Sequence, residues 1–131
     1  MIIRLLAMTI AVAVVAGCAT KPARHAEAQA YFKHMGEPVE DVRAFRLTDW
    51  RPLDRYHLVV WRSVNEAFVI RVQEPCTNID FARSVAVEFQ APVLRSRFDF
   101  VRIDGDRCRI EEIRPVDYRL VRQEMRTVRG R

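Results

Sequence analysis

The most informative part of the sequence is residues 98–110, which read FDFVRIDGDRCRI. Apolar and polar side chains alternate along the first half of this stretch, as expected of a strand with one buried face. Asp104-Gly105 then supplies the dipeptide that two-residue hairpin turns favour. On the returning arm, Cys108 and Ile110 alternate with outward-facing arginines. The stretch therefore predicts an antiparallel hairpin with Cys108 on its apolar face.

Upstream of this hairpin, short runs rich in β-branched and other apolar residues predict the rest of a sheet. The predicted strands are residues 43–48, 57–61, 67–72 and 85–89. The first alternates, with Phe45 and Leu47 on its apolar face, whereas the second is almost wholly apolar and suits a central strand. The polar residues 62–66 predict an antiparallel hairpin between the second and third strands. A helical turn is predicted for residues 79–84.

Downstream of Pro115 the apolar period changes from that of a strand to that of a helix. Asp117 is the predicted N-cap of this helix. Its apolar seam has i, i+3, i+7, i+10 spacing and consists of Tyr118, Val121, Met125 and Val128. The predicted fold class is therefore α+β: an antiparallel sheet of about five or six strands, either open or barrel-like, with a C-terminal helix.

The N-terminus has the composition of a secretory signal. Arg4 precedes 12 almost continuously apolar residues, 5–16, which are fewer than the ~20 that a membrane-spanning helix needs. Residues 15–18, VAGC, look like the bacterial lipobox, in which the cysteine thiol receives a diacylglycerol and the chain is cleaved just before it. We therefore predict lipidation of Cys18. An ordinary signal peptide and a chance cysteine are the alternatives.

The predicted anchor divides the chain into three parts. They are a signal peptide, residues 1–17, a lipidated cysteine with its tether, residues 18–35, and one periplasmic domain, residues 36–131. Within the tether, a short helix is expected from Glu27 to His34. Ala19 follows the cysteine, and the absence of an aspartate there favours the outer membrane. The predicted location is the bacterial envelope, with the domain held at the lipid bilayer by the acylated cysteine.

A set of motifs runs from Gly36 to Asp117. It comprises Trp50-x-x-Leu53, Leu58-Val59-Val60-Trp61, Cys76, Phe98-Asp99-Phe100-Val101 and Cys108-Arg109-Ile110-Glu111-Glu112-Ile113. Together these motifs resemble an uncharacterised family of small proteobacterial lipoproteins. The resemblance covers most of the chain after Gly36. It implies an envelope-located domain of unknown function, and no catalytic residues carry over with it.

The number of cysteines predicts a disulfide. The chain has three cysteines, and an odd number would leave one of them unpaired in an exported protein. If Cys18 carries lipid, Cys76 and Cys108 remain, and the oxidising periplasm allows them to pair. The alternative is a pair of buried thiols that pack as small apolar side chains.

Positive charge is concentrated on the predicted C-terminal helix. The chain has 22 basic and 17 acidic residues, a formal net charge of +5, which favours anionic neighbours. Four arginines with helical spacing form a predicted cationic stripe: Arg119, Arg122, Arg126 and Arg129. This stripe is either a solvated face that complements the helix dipole or a surface that contacts anionic lipid head groups or polymer.

No group of residues has the pattern of a metal or catalytic site. The three histidines, His25, His34 and His57, lack metal-ligand spacing. A hairpin turn explains Asp104-Gly105-Asp106 without calcium. The serines after the lipobox, Ser63, Ser84 and Ser96, lie outside any nucleophile elbow. Glu111 and Glu112 are expected on opposite faces of one strand, so that both cannot point into one cleft.

The sequence is equally poor in signals for cofactors and nucleic acids. Four glycines in the whole chain leave no Gly-rich phosphate loop, and aromatic residues in so small a domain more often fill the core than stack on bases. No metal, cofactor or nucleic-acid partner is predicted. Two hypotheses stay open: a non-enzymatic binding or structural module for an envelope protein or polymer, and a small enzyme acting on an anionic envelope substrate.

Overall fold

The structure is a computed structural model, and it describes residues 20–88 and 92–130. The predicted signal peptide and Cys18 lie outside these residues, so both stay predictions. In chain order the helices and strands are α1 Thr20–Lys33, β1 Asp41–Arg43, β2 Asp49–Pro52, β3 His57–Ser63, β4 Glu66–Val72, β5 Val85–Glu88, β6 Val93–Arg95, β7 Phe100–Ile103, β8 Asp106–Val116 and α2 Tyr118–Arg129. A short 3₁₀ helix, Ile79–Phe81, lies between β4 and β5.

Six strands form one antiparallel sheet that curls into a half-barrel. The strand order is β2-β3-β4-β8-β7-β5, and β1 and β6 form a separate antiparallel pair. The fold is thus α+β, with a six-stranded antiparallel sheet and a C-terminal helix, as the sequence predicts. Helix α1 is a second, N-terminal helix.

Both hairpins predicted from local sequence are present. β3 and β4 pair around a turn, with Val60 opposite Phe68. β7 and β8 pair around Asp104-Gly105, whose φ angles of 51° and 91° are both positive, as the tight turn requires. The returning arm places Cys108 in the core, as predicted, with an exposed fraction of 3%.

Two hydrophobic cores lie on opposite faces of the sheet. In β3, Leu58 and Val60 belong to the first core, which is filled mainly by the sheet and by the β1–β6 pair. Val59 and Trp61 belong to the second core, where α1 and α2 pack. Because β3 is buried on both faces, its sequence is continuously apolar instead of alternating.

Helix α1 is longer than predicted. The sequence predicts a short helix from Glu27 to His34 inside a polar tether, whereas the helix spans Thr20–Lys33. Its C-terminal half is part of the second core: Ala28, Ala30 and Tyr31 are buried. The small alanines allow α1 to lie close to the sheet. The tyrosine ring supplies apolar area that this otherwise polar helix buries.

Helix α2 forms as predicted. The Asp117 side chain accepts a hydrogen bond from the Leu120 backbone N–H at 3.2 Å, as an N-cap should. Val121 is buried at the centre of the apolar seam, but Val128 at its end is 47% exposed. Among the described residues, neither helix has the length and apolar character needed to cross a bilayer.

The predicted strand at residues 43–48 is wrong. β1 ends at Arg43, and Ala44 adopts a positive φ of 52°, which turns the chain out of the extended conformation. The next strand, β2, begins only at Asp49. Phe45 is nevertheless buried, so the alternating pattern identified a core residue in a loop.

The strand that opens the 98–110 stretch begins two residues later than predicted. β7 begins at Phe100 and buries Val101 and Ile103. Phe98 is 75% exposed, because the chain turns there and buries Asp99, whose Oδ2 accepts a hydrogen bond from the Arg95 backbone N–H at 2.6 Å. The returning strand is also longer than residues 107–110, since β8 continues to Val116 and pairs with β4.

Candidate functional site

The arginine stripe predicted on α2 is exposed to solvent along its whole length. All four side chains are exposed: Arg119, Arg122, Arg126 and Arg129. Arg122 donates a hydrogen bond to Asn65 Oδ1 at 3.3 Å, and its guanidinium lies 5.1 Å from the centre of the Tyr118 ring. Within residues 20–88 and 92–130, no carboxylate forms an ion pair with any of the four. Their charges are therefore available to an external anion.

Three of these arginines line a shallow cavity between α2, α1 and the edge strand β2. The cavity has a volume of about 290 Å³. Its lining consists of Glu27, Tyr31, Arg51, Tyr118, Val121, Arg122, Met125, Arg126 and Arg129. We call it the arginine cavity. Arg119 does not line it, so the structure separates one member of the predicted stripe from the other three.

Arg51 and Tyr31 were not predicted as site residues. They come from β2 and α1, and the packing of both helices on the same sheet face brings them to α2. No local pattern marks either residue. The position of Arg51 next to Trp50 in a short polar strand is a weak indication of a binding residue.

Arg51 is held in place at the mouth of the arginine cavity. Its guanidinium is ion-paired with Glu27 and lies 5.7 Å from the centre of the Trp61 ring. Burial acts to lower the pKa of Arg51, but the hydrogen bond and the charge of Glu27 outweigh it and raise that pKa above its usual value. The side chain therefore stays cationic while it keeps a fixed position.

Tyr31 forms the buried floor of the same cavity. Its ring stacks on Tyr118 with 6.3 Å between ring centres and meets Trp61 edge-on at 6.1 Å. Burial, followed by the neighbouring Tyr118, raises the pKa of Tyr31 well above its usual value. The hydroxyl therefore keeps its proton at neutral pH. It does not supply a phenolate base or nucleophile.

The lining gives the arginine cavity the chemistry of an anion-binding surface. Four arginines and one glutamate leave a formal charge of +3. Guanidinium groups bind oxyanions through paired N–H donors, and the apolar lining supplied by Val121 and Met125 could contact a carbon backbone. The lining contains no histidine, cysteine or serine, and its one carboxylate, Glu27, is ion-paired with Arg51.

Two of the three histidines are paired with carboxylates from different parts of the fold. His34 Nε2 lies 2.7 Å from Glu124 Oε2, and His57 Nδ1 lies 2.8 Å from Asp54 Oδ1. His25 is exposed on α1. In the part of the chain that the structure describes, no group of three or more His, Cys, Asp or Glu side chains could hold a metal ion.

A larger cavity of about 720 Å³ lies between the chain after α1, the β6–β7 loop and β8. Both Glu111 and Glu112 line it, which corrects the expectation that they cannot share a cleft. The register explains why: Arg71 pairs with Glu112 but Val72 pairs with Ile110, so Glu111 is an extra residue in a bulge and the alternation is interrupted there. Both carboxylates are neutralised, by Arg71 at 3.4 Å and by Arg114 at 2.7 Å.

The predicted disulfide between Cys76 and Cys108 is present. The Cα atoms of the two residues are 5.8 Å apart, within the usual range for disulfides. The bond joins the loop after β4 to β8, and Cys108 is buried in the first core. Its place inside the core indicates a structural rather than a catalytic bond.

Comparison with known proteins gives one match. A family model described as a family of unknown function (DUF6491) matches residues 1–131. No curated protein and no solved structure is significantly similar to the chain.

Proposed function

We propose that this chain, which belongs to the family of unknown function, is a lipid-anchored binding module of the bacterial cell envelope. In this proposal Cys18 carries the lipid and the arginine cavity binds an anionic envelope component. The module has no enzymatic activity. Ala19 favours the outer membrane as its location.

The proposed location is supported by two independent features. The lipobox-like residues 15–18 follow a short apolar run, which is the arrangement of an export signal that ends in a lipid anchor. The Cys76–Cys108 bond is of the kind that persists in oxidising compartments and is rare in the cytosol. Both features agree with an exported domain.

The observation that carries the binding proposal is the convergence of four arginines from two elements on one cavity with a single carboxylate. Arg51 contributes from β2, while the other three lie on successive turns of α2. A solvated helix face would not require Arg51 to be positioned by Glu27 and Trp61. The convergence therefore favours an anionic ligand with several acceptor oxygens, such as a phosphate-bearing polymer or head group.

The larger cavity provides the alternative, a small enzyme acting on an anionic substrate. The lining of that cavity contains Glu40 and Asp41 as well as Arg95 and Arg97. Carboxylates and cationic side chains therefore share one cavity. Hydrolysis of a phosphorylated or acylated envelope fragment by the purified chain would favour this alternative. Loss of the activity in Glu40→Gln would assign it to the larger cavity.

The binding proposal is tested with a chain that starts at residue 19, because it keeps both helices and all eight strands that the structure describes. Its binding to soluble polyphosphate and to vesicles of phosphatidylglycerol or phosphatidylcholine is measured as salt is added. We expect binding to the anionic probes that weakens with salt. Arg126→Gln should weaken it about fivefold, since one surface arginine contributes about 1 kcal/mol to contact with an anionic surface.

Arg119→Gln is the matched control, because it removes the same charge from the same helix outside the arginine cavity. If the two variants weaken binding equally, the cavity is not the site. If the wild-type chain binds neither probe, the anion-binding role is wrong. Mass spectrometry of the N-terminus of the native protein tests the anchor, and an unmodified residue at position 18 would exclude it.

A further inference from the structure

Phe81 is a large apolar side chain that the fold holds in solvent. It is 77% exposed, although the residue two positions before it, Ile79, is fully buried in the first core. The 3₁₀ helix that contains both is capped by Asn78, whose side chain accepts a hydrogen bond from the Asp80 backbone N–H at 3.0 Å. The backbone under Phe81 is therefore fixed, and its exposure is a property of the fold. A single exposed apolar residue is common on protein surfaces, so any contact that Phe81 makes depends on the residues beside it.

Phe81 lies beside the N-terminal half of helix α1. The Arg24 guanidinium donates a hydrogen bond to the Asp80 carbonyl at 3.4 Å and lies 3.8 Å from the Asp80 carboxylate. Helix α1 begins at Thr20, and a helix rises about 1.5 Å per residue, so Arg24 is about 6 Å from the helix start. Phe81 is therefore close to the point where the chain leaves the described fold toward Cys18.

Two further basic residues lie in segments next to Phe81. Arg55 is exposed, and its carbonyl oxygen accepts a hydrogen bond from the Ile79 backbone N–H at 3.1 Å. Arg83 is exposed two residues after Phe81. With Arg24, which is paired with Asp80, these residues bring three cationic side chains into the segments next to Phe81. We call Phe81, Arg24, Arg55 and Arg83 the anchor patch.

We propose that the anchor patch docks on the anionic surface of the bilayer that holds the lipid anchor. Phe81 enters the interfacial region of the lipid, and the arginines contact head-group phosphates. This inference rests on the proposed function, because it requires lipid on Cys18. It goes further by assigning the face of the domain that the membrane covers.

The length of the chain outside the fold argues for lipid as the occupant. Only Ala19 separates Cys18 from the first residue of α1. One residue spans at most about 3.6 Å, so acyl chains on Cys18 would keep the N-terminal end of α1 at the membrane surface. An aromatic ring with adjacent arginines is the composition of interfacial membrane contacts. A single exposed phenylalanine is a small area for a stable protein interface, which buries on the order of 1,000 Å² or more.

Phe98 provides a matched control. It is 75% exposed, close to the value for Phe81, but it lies in the lining of the larger cavity with Pro38 and Val39, which follow the C-terminal end of α1. The 14 residues of α1 span about 21 Å. The two phenylalanines therefore lie toward opposite ends of this helix, and only Phe81 is near the anchor.

The test uses the full lipidated protein in vesicles of phosphatidylethanolamine and phosphatidylglycerol with bromine near the head-group end of the acyl chains. Phe81→Trp and Phe98→Trp are compared by tryptophan fluorescence, since the native Trp50 and Trp61 contribute equally to both. We expect bromine to quench the new signal in Phe81→Trp and to leave that of Phe98→Trp unchanged. Equal quenching in both variants, or none in either, would overturn the inference.

A second measurement does not depend on the anchor. In the chain that starts at residue 19, Phe81→Ser should weaken binding to phosphatidylglycerol vesicles about five- to tenfold, the effect of removing a partly buried aromatic ring. It should leave polyphosphate binding unchanged, and Phe98→Ser should change neither. Unchanged vesicle binding in Phe81→Ser contradicts the docking.

The failures of the two proposals are distinguishable. An unmodified Cys18 in the native protein overturns the anchor and, with it, the docking. A lipidated Cys18 with no selective quenching at position 81 overturns the docking alone. Cross-linking of position 81 to a protein in place of lipid in intact cells would also overturn it.

Discussion

Asp104 shows how one residue can serve a turn and a neighbouring loop together. Its backbone takes the positive φ that the β7–β8 turn needs. Its carboxylate Oδ1 accepts hydrogen bonds from the backbone N–H groups of Arg83 and Ser84, both at 2.9 Å. These two bonds, in that order, hold the pKa of Asp104 below its usual value. The turn is therefore tied to the chain segment that includes Arg83 of the anchor patch.

The lowered pKa gives a prediction about pH. A carboxyl whose folded-state pKa lies below its unfolded value of ~3.9 stabilises the fold fully above that value. This stabilisation is lost as pH falls through the folded-state pKa. We expect Asp104→Asn to lower the free energy of unfolding at neutral pH and to make its decrease in acid less steep. Asparagine tolerates positive φ, so the turn itself is kept.

The measurement is urea unfolding of wild type and variant at neutral and acidic pH. Asp41→Asn is the control, because Asp41 is also exposed. This substitution removes the same charge outside the turn. A variant that loses no stability at neutral pH, or that keeps the full acid dependence, would contradict the role assigned to Asp104.

At the scale of elements, the structure follows the sequence where the signal is local. The β7–β8 hairpin and helix α2 were predicted because Asp104-Gly105 and the capping Asp117 act within a few residues of their own positions. The same is true of β3, whose apolar run reflects burial on both faces. Local pattern was sufficient for these elements because their backbone partners are also near in sequence.

Elements that depend on distant partners were missed. β6 was not predicted because its only strand partner is β1, with Leu94 opposite Val42, and neither strand has a pattern long enough to read. The bulge at Glu111 depends on the register with β4. Arg51 reaches the arginine cavity only through the packing of both helices. Each of these features is set by contacts between segments that are far apart in the chain.

The cap of α2 can be tested on its own. Asp117→Ala removes the acceptor for the Leu120 backbone N–H and should lower the free energy of unfolding by about 1 kcal/mol. Asp117→Asn keeps an acceptor and should lose much less. Chemical denaturation measures both variants. Equal losses would mean that the charge of Asp117, and not the cap hydrogen bond, is what stabilises the helix.

At the scale of the whole molecule, the disulfide and β8 join the two halves of the sheet. β8 pairs with β4 along one part of its length and with β7 along another. The Cys76–Cys108 bond links the end of the first half to this strand, with a sequence separation of 32 residues. Together they connect the strands before Cys76 with those after it in one sheet.

Loss of the disulfide should therefore be costly. For a loop of this length, we expect Cys76→Ala with Cys108→Ala to lower the free energy of unfolding by roughly 3 kcal/mol, a large share of the 5–15 kcal/mol typical of a domain. Urea unfolding of the wild type with and without reductant gives the comparison. Alkylation of both thiols in protein denatured without reductant would show that the bond does not form.

The two edges of the six-stranded sheet have a further consequence if the protein is tethered in a bilayer. Confinement to two dimensions raises the frequency with which copies meet, and an open β-edge is a template for fibrillar growth. Here both edge strands, β2 and β5, have only four residues. β2 also carries Asp49, Arg51 and Pro52, and the proline lacks a backbone donor. Because the edge strands are short and β2 carries charged residues, we expect that tethered copies do not pair edge to edge and aggregate.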